Sequence, residues 1–104
     1  MSKFLFTYTG GMTPEAATPA QRKQSMDEWM AWFGMMGKAV VEMGAPTKPG
    51  KSVGRGGARS LGASGVTGYT FIKADNLDSA IGLAKSCPVI KEGGKVIVSE
   101  VIPM

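Results

Sequence analysis

The sequence feature that most constrains the fold is one long helical segment over residues 19–43, which lies between two strand-like segments. Thr18 can cap this helix, and Pro19 suits its first position. Gly44, with Pro46 just beyond it, is typical of a helix end. The apolar arc of the helix consists of Met26, Trp29, Met30, Phe33, Met36, Gly37, Val40 and Val41, extended by Trp32, Ala39 and Met43. On a helical wheel this arc spans roughly 200°, about twice the stripe that covers one sheet. We therefore expect a second apolar partner for the helix, and a second copy of the chain is the simplest one.

Three other segments are predicted to be β-strands. Aromatic residues occupy every second position from residue 4 to residue 8 within the segment 3–9, and the pattern stops at Gly10. Residues 69–74 alternate in the same way. Residues 95–102 form a strongly β-branched run, which is typical of a strand buried on both faces. We therefore expect the last strand to lie at the centre of the sheet.

A second, shorter helix is predicted between the last two strands. Asp75 or Asn76 can cap its start, and Asp78 is favourable in its first turn. Pro88 is expected to end it. Its apolar residues at helical spacing are Leu77, Ala80, Ile81, Ala84 and Cys87. This spacing gives the helix one apolar face.

Residues 45–68 are rich in glycine, serine and basic residues and show no regular period. Short strands around 51–53 and 58–61 fit this composition, and a long mobile hairpin or loop fits it equally well. The complete order is therefore strand, long helix, uncertain β segment, strand, helix, strand. This order is that of the α+β, ferredoxin-like split βαβ fold, in which both helices pack on one face of an antiparallel sheet.

The composition predicts one cytoplasmic domain, residues 1–104, without a membrane partner. A chain of 104 residues has room for a single core. It shows no apolar run near the roughly 20 residues of a membrane helix, and no secretory leader. Its single cysteine, Cys87, fits a reducing compartment and is expected as a buried core thiol rather than a nucleophile. Because the chain has no histidine, the common metal-ligand sets are missing, and we expect neither a metal nor a cofactor.

The net charge of +4 is concentrated in the glycine-rich loop 48–59. The cations of this loop are Lys48, Lys51, Arg55 and Arg59. Clustered basic residues release counterions from phosphates, which makes nucleic-acid binding one hypothesis. The loop has neither interleaved aromatic residues nor the glycine spacing of a P-loop, and a solvated hairpin is the simpler explanation of its charges. A nucleic-acid partner is therefore not expected.

The order and spacing of several blocks resemble those of the shorter, glycine-rich members of the YCII-related (DGPF-type) family. The clearest block is 68–80, whose strand and Ala-Asp-Asn-Leu-Asp-Ser-Ala run are similar to the family's strand and helix start. It continues through 84–88, which resembles the family's Cys-Pro helix end. Residues 94–104 resemble its last strand, and 3–9 with 29–34 resemble its opening. The resemblance implies a ferredoxin-like dimeric α/β barrel, hence a homodimer, with a small-molecule cleft between the sheet and the helices.

Two departures from the family limit what the resemblance implies about chemistry. The Asp-Gly-Pro-Phe tetrapeptide that names part of the family is absent before Tyr69. Some members also carry a histidine proposed as catalytic, and this chain has none. No catalytic residue is therefore assigned, and whether the protein is an enzyme is left open.

The six candidates for a ligand site are Tyr8, Trp29, Trp32, Lys48, Ser52 and Tyr69. The four aromatic residues can build an apolar cleft with polar tips, and the lysine or serine can bring a charge or a hydroxyl to it. Aromatic residues at such spacings are more often part of the core.

The leading hypothesis is that the protein binds, or also converts, a small molecule in a cleft between the sheet and the long helix. The first alternative is a non-enzymatic accessory or protein-interaction module. The alternative with the least support is nucleic-acid binding through the loop 48–59.

Overall fold

The computed structural model describes residues 1–11 and 16–104. The strands and helices of this part of the chain are β1 (Ser2–Thr9), α1 (Pro19–Met36), β2 (Val40–Glu42), β3 (Lys51–Gly54), β4 (Gly57–Ser60), β5 (Val66–Ala74), α2 (Leu77–Ala84), α3 (Pro88–Lys91) and β6 (Lys95–Glu100). Short 3₁₀ turns lie at Gly37–Ala39 and Gly62–Ser64. In the segment that the sequence left open, β3 and β4 form a two-stranded hairpin.

Strands β2, β5, β1 and β6 form one antiparallel sheet in that order. With α1 after β1 and α2 after β5, this is the ferredoxin-like split βαβ fold, so the predicted α+β fold is confirmed. Phe6 of β1 stacks on Trp32 of α1, with ring centroids 6.1 Å apart. The Trp32 indole N–H in turn donates a hydrogen bond of 3.0 Å to the carbonyl of Leu83 in α2. Helices α1 and α2 therefore cover the same face of the sheet.

The alternation of side chains along the strands gives the sheet two unlike faces. The face under the helices, called the helix-side face below, carries the buried residues Phe4, Phe6, Tyr8, Thr70 and Ile72. The opposite face, called the open face, carries Leu5, Thr7, Tyr69, Phe71 and Ile97, which are half-buried or exposed. Cross-strand pairs keep the two sets apart, because Phe6 lies opposite Thr70 whereas Leu5 lies opposite Phe71. The core of the described structure is therefore on one side of the sheet.

Helix α1 ends at Met36, so the prediction of a helix to residue 43 is wrong. Gly37 ends the helix with a φ of +52°, which side chains other than glycine rarely adopt, and its N–H donates to the carbonyl of Phe33. Val40 then enters β2 and pairs with Ile72 of β5. Its β-branched side chain fits a strand better than a helix.

The shorter helix also reduces the predicted apolar arc. Trp32 and Met36 are buried against the core, while Met26 and Met30 are 67% and 56% exposed. The valines counted in the arc belong to β2 and its sheet. Of the residues counted in the predicted arc, Met26 and Met30 are thus the ones that expose apolar surface on α1. No helix in the described ranges is long and apolar enough to cross a membrane.

Two expectations about the C-terminal third are wrong. Helix α2 ends at Ala84, and Pro88 begins α3 instead of ending α2, because proline suits a first helical turn. Cys87 lies between the two helices and is buried, as expected of a core thiol. Strand β6 lies at an edge and pairs only with β1 within the described sheet. Val96 packs against the core while Ile97 is exposed, so the β-branched run reflects a half-buried strand rather than a central one.

Candidate functional site

A group of five aromatic side chains, called the aromatic cluster, lies between the sheet and α1. The cluster consists of Phe6, Tyr8, Trp29, Trp32 and Phe33. The Trp29 ring meets the Tyr8 ring edge-on at a centroid distance of 4.9 Å, and the two tryptophan rings meet edge-on at 5.7 Å. Such edge-to-face contacts are the preferred geometry of aromatic pairs. Because the tryptophans are three residues apart on α1, both point to the same helix face.

The aromatic cluster extends from the core to the surface. Tyr8 and Trp32 are buried, whereas Trp29 and Phe33 are half-buried and pack around them. The indole N–H of Trp32 already donates to the Leu83 carbonyl, which fixes that ring as a wall. The half-buried rings of Trp29 and Phe33 therefore form the accessible edge of the cluster.

Two hydroxyl groups continue the cluster into the sheet. The hydroxyl of Tyr8 donates a hydrogen bond of 2.7 Å to Thr70 Oγ1, and the Thr70 hydroxyl donates one of 3.0 Å to the carbonyl of Met43. We call Tyr8, Thr70 and the Met43 carbonyl the hydroxyl chain. No buried side-chain nitrogen or oxygen in the described residues lacks a hydrogen-bond partner. Both hydroxyl protons of the hydroxyl chain are thus already donated in hydrogen bonds. The Tyr8 oxygen keeps lone pairs that can accept a hydrogen bond.

The Tyr8 phenol stays neutral. Burial raises its pKa above the ordinary value of 10.0, and the hydrogen bond with Thr70 lowers it only in part. A neutral phenol donates and accepts hydrogen bonds but does not act as a base. The site therefore offers polar recognition rather than proton abstraction by this tyrosine.

The loop after β2 covers the end of the hydroxyl chain. The N–H of Tyr69 donates to the Ala45 carbonyl at 3.3 Å, and that of Thr47 donates to the Thr67 carbonyl at 2.9 Å. A side chain at Gly68 would place its Cβ 3.2 Å from both the Ala45 carbonyl oxygen and the Tyr8 ring. The absence of a side chain at Gly68 therefore lets the loop pack directly against Tyr8.

The structure brings three of the six candidate residues together. Tyr8, Trp29 and Trp32 are members of the aromatic cluster. Tyr69 lies on the open face, where its ring meets Phe71 edge-on at 6.0 Å. Lys48 and Ser52 are exposed in the loop and in β3. The aromatic cluster between the sheet and α1 therefore contains the first three only, and their role in ligand binding stays a prediction.

Thr70 and Phe33 belong to the site but were not predicted from the sequence. Thr70 has no feature in the sequence that sets it apart from other strand residues. Its hydroxyl meets that of Tyr8 because the register of β1 on β5 pairs Tyr8 with Gly68, and Thr70 lies two residues after Gly68 on the same face of the sheet. Phe33 was placed on the apolar arc, and its i+4 spacing from Trp29 was the available signal.

A concave surface lies between α1 and α3, apart from the aromatic cluster. Apolar side chains of Ala31, Met35, Pro88 and Ile90 line this groove of about 540 Å³. Cys87 lies at its floor, and burial raises the pKa of its thiol to about 12, so the thiol stays protonated. No group of three or more histidine, cysteine, aspartate or glutamate side chains suited to a metal ion occurs in residues 1–11 and 16–104.

Comparison with known proteins reveals a likeness of fold. No protein-family model matches the chain, and no curated protein matches its sequence. Among solved structures, the chain is similar to 5-chloro-2-hydroxyhydroquinone dehydrochlorinase from Burkholderia phenoliruptrix AC1100, in complex with 2,5-dihydroxybenzoquinone. The TM-score is 0.58 at 17% identity, and the match covers 98% of this chain and 95% of that one. At this identity the likeness is one of fold.

Proposed function

We propose that this chain is a YCII-related protein, one domain over residues 1–104, that binds a small aromatic molecule between its sheet and α1. The observation that carries the proposal is the aromatic cluster joined to the hydroxyl chain. Apolar walls with a few fixed polar groups are typical of small-molecule sites. The blocks of sequence that resemble the family, and the shared fold, support the family assignment.

The hydroxyl chain determines which ligand chemistry fits best. The Tyr8 hydroxyl donates a hydrogen bond to Thr70 Oγ1, and the Thr70 hydroxyl donates one to the Met43 carbonyl. The group of Tyr8 that remains for a ligand is therefore a lone pair on its oxygen, which can accept a hydrogen bond. A ligand that donates an O–H, such as a phenol or hydroquinone, complements that lone pair. A flat ring also suits edge-on contact with Trp29. The dihydroxybenzoquinone bound to the dehydrochlorinase of similar fold is a molecule of this kind.

The cluster supports binding rather than conversion by its own residues. Its five side chains include neither a carboxylate nor an imidazole, the usual acid and base groups of enzymes. Tyr8 is held neutral by burial. We therefore assign ligand recognition to the cluster and assign no catalytic residue.

The proposal includes a homodimer formed through the open face. This face presents the half-buried Leu5, Tyr69 and Phe71 beside the exposed Ile97, and a second copy offers the same residues in return. The Lys3 ammonium on this face lies 4.5 Å from the centroid of the Phe71 ring. Its charge therefore interacts with the face of that aromatic ring. Two sheets that meet in this way make the dimeric α/β barrel that the family resemblance implies.

The test is a thermal-shift screen against phenols, hydroquinones, quinones and organic acids, followed by titration of tryptophan fluorescence. A ligand at a hundred times its dissociation constant stabilises the folded state by about 2.7 kcal/mol. Tyr8→Phe removes the accepting oxygen, and we expect it to weaken binding about fivefold to tenfold. Tyr69→Phe makes the same change on the open face and should leave the affinity unchanged.

Two outcomes would contradict the proposal. Equal losses in both tyrosine variants would show that binding does not depend on the cleft beside α1. No stabilisation by any compound of the panel would favour the alternative of a non-enzymatic accessory protein.

A further inference from the structure

The hairpin β3–β4 stands apart from the main sheet. Its strands pair only with each other among the described strands, from Lys51 opposite Ser60 to Gly54 opposite Gly57. Every residue from 51 to 60 is exposed, and Val53 is 79% exposed. The hairpin therefore contributes little to the core and is free to contact another molecule.

The net charge of the protein lies on this hairpin and the short segment that leads into it. The chain has 12 basic and 8 acidic residues, so without Lys48, Lys51, Arg55 and Arg59 it has 8 of each. No aspartate or glutamate occurs between Glu42 and Asp75. The ion pairs found in the described structure join Lys23 to Asp27 and Lys91 to Glu28, so none of them involves the hairpin. These four cations carry a net charge that the other residues of the chain do not have. We call the β3–β4 hairpin together with Lys48 the basic arm, or the arm for short.

The side chains of the arm favour phosphate over a protein surface. Protein interfaces depend on buried aromatic or large apolar anchors, and the arm has only Val53 of that size. It also has no aromatic ring on which a base can stack. Arginine and lysine among glycines suit close approach to a phosphate backbone, which carries no sequence information.

We infer that the β3–β4 hairpin, with Lys48, is an arm that binds the phosphate backbone of nucleic acid without reading its base sequence. This role is independent of the small-molecule site, because no residue of the hairpin belongs to the aromatic cluster or to the hydroxyl chain. The sequence did not favour a nucleic-acid partner, because the loop has neither interleaved aromatic residues nor the glycine spacing of a P-loop. Contacts to a phosphate backbone require neither feature, and the hairpin is exposed and pairs with no other described strand.

The inference predicts a definite dependence on salt. Four phosphate contacts on duplex DNA give a slope of log K against log salt of about −3.6. Affinity should therefore fall about 150-fold between 50 and 200 mM salt. Neutralising two of the four cations should halve the slope, and the same salt change should then cost only about 12-fold.

The experiment measures binding of a fluorescent duplex of about 20 base pairs by anisotropy over this salt range. The variant Arg55→Gln/Arg59→Gln removes two cations from the arm, and Lys85→Gln/Lys95→Gln removes two from elsewhere. All four positions are exposed, so both variants should fold. We expect the slope to halve in the first variant only, and a duplex of different sequence to bind equally.

Three results would overturn the inference. The first is the absence of binding at 50 mM salt and 100 μM protein. The second is an equal loss of affinity in the two variants. The third is a preference for another polyanion at matched charge, shown when polyglutamate displaces the duplex or when anionic vesicles bind more tightly than it does.

Discussion

The two faces of the main sheet are built from the same strands but differ in how complete they are. On the helix-side face Phe4 and Phe6 have no exposed surface, and the polar atoms between them and α1 are paired. On the open face Ile97 is 51% exposed, and Lys3 lies opposite Lys73 across β1 and β5. The helix-side face is covered by the chain's own helices, whereas the open face keeps half-buried and exposed apolar side chains.

We expect this difference to separate the residues that stabilise the folded chain from those that bring two copies of it together. The free energy of unfolding should depend mainly on residues of the helix-side face, because burial of apolar surface is the main favourable term in folding. The open face should determine association instead.

The largest expected effect is on the helix-side face. Phe6→Ala removes a fully buried ring that stacks on Trp32, and we expect it to lower the free energy of unfolding by about 4 kcal/mol. Phe71→Ala makes the same truncation on the open face and should cost about 1 kcal/mol or less in the monomer. Urea denaturation of both variants measures the two values. Similar losses would show that the two faces contribute equally to folding.

The second prediction concerns alkaline pH, because both strongly shifted groups lie on the helix side. Burial raises the pKa of Cys87 from 9.0 to about 12, and it also raises the pKa of Tyr8. The unfolded chain loses these protons at lower pH than the folded chain, so stability is complete below about pH 9 and falls as pH rises towards 12. By about pH 10.5 the Cys87 contribution alone amounts to a loss of about 2 kcal/mol.

Cys87→Ala is the control for this pH dependence. The variant should lose less stability between pH 8 and about pH 10.5 than the original chain, because only the Tyr8 contribution remains. Urea denaturation at the two pH values gives the comparison. An identical loss in both proteins would show that the thiol does not remain protonated in the folded state.

The sequence predicted the helix-side face well because its signals are local. Alternation in β1, the Thr18 cap of α1 and the Asn76 cap of α2 each depend on residues a few positions apart. Their order alone was sufficient to predict the ferredoxin-like fold. The errors at the end of α1 and in β6 fall where a long-range pairing decides, as at Val40, whose strand conformation requires β5 as a neighbour.

The candidate site shows the same limit. Tyr8, Trp29 and Trp32 could be selected as aromatic residues of a strand and a helix that pack together. Thr70 could not, because its hydroxyl meets Tyr8 only through the register of β1 on β5. Tyr69 was grouped with Tyr8 because composition does not tell which strand residues share a face until that register is known.

The third prediction tests the hydroxyl chain on the helix-side face. Thr70→Val keeps the shape of the side chain but leaves the Tyr8 hydroxyl without its acceptor and the Met43 carbonyl without its donor. We expect the free energy of unfolding to fall by about 2 kcal/mol, the cost of unpaired buried polar groups. Thr7→Val makes the same change on the open face and should stay within about 0.5 kcal/mol. Equal effects would mean that the hydroxyl chain adds no stability.

The fourth prediction has the smallest expected effect, and it concerns association of two copies through the open face. Ile97→Lys places a charge among the apolar residues of that face, beside a surface that already carries Lys3 and Lys73. We expect the dissociation constant of the homodimer to rise at least tenfold, about 1.4 kcal/mol, while the monomer stays folded. Val53→Lys introduces the same charge on the exposed hairpin and should leave the dimer intact. Light scattering over a range of micromolar concentrations separates the cases. A chain that is monomeric throughout, or a dimer weakened equally by both variants, would show that the open face is not where two copies meet.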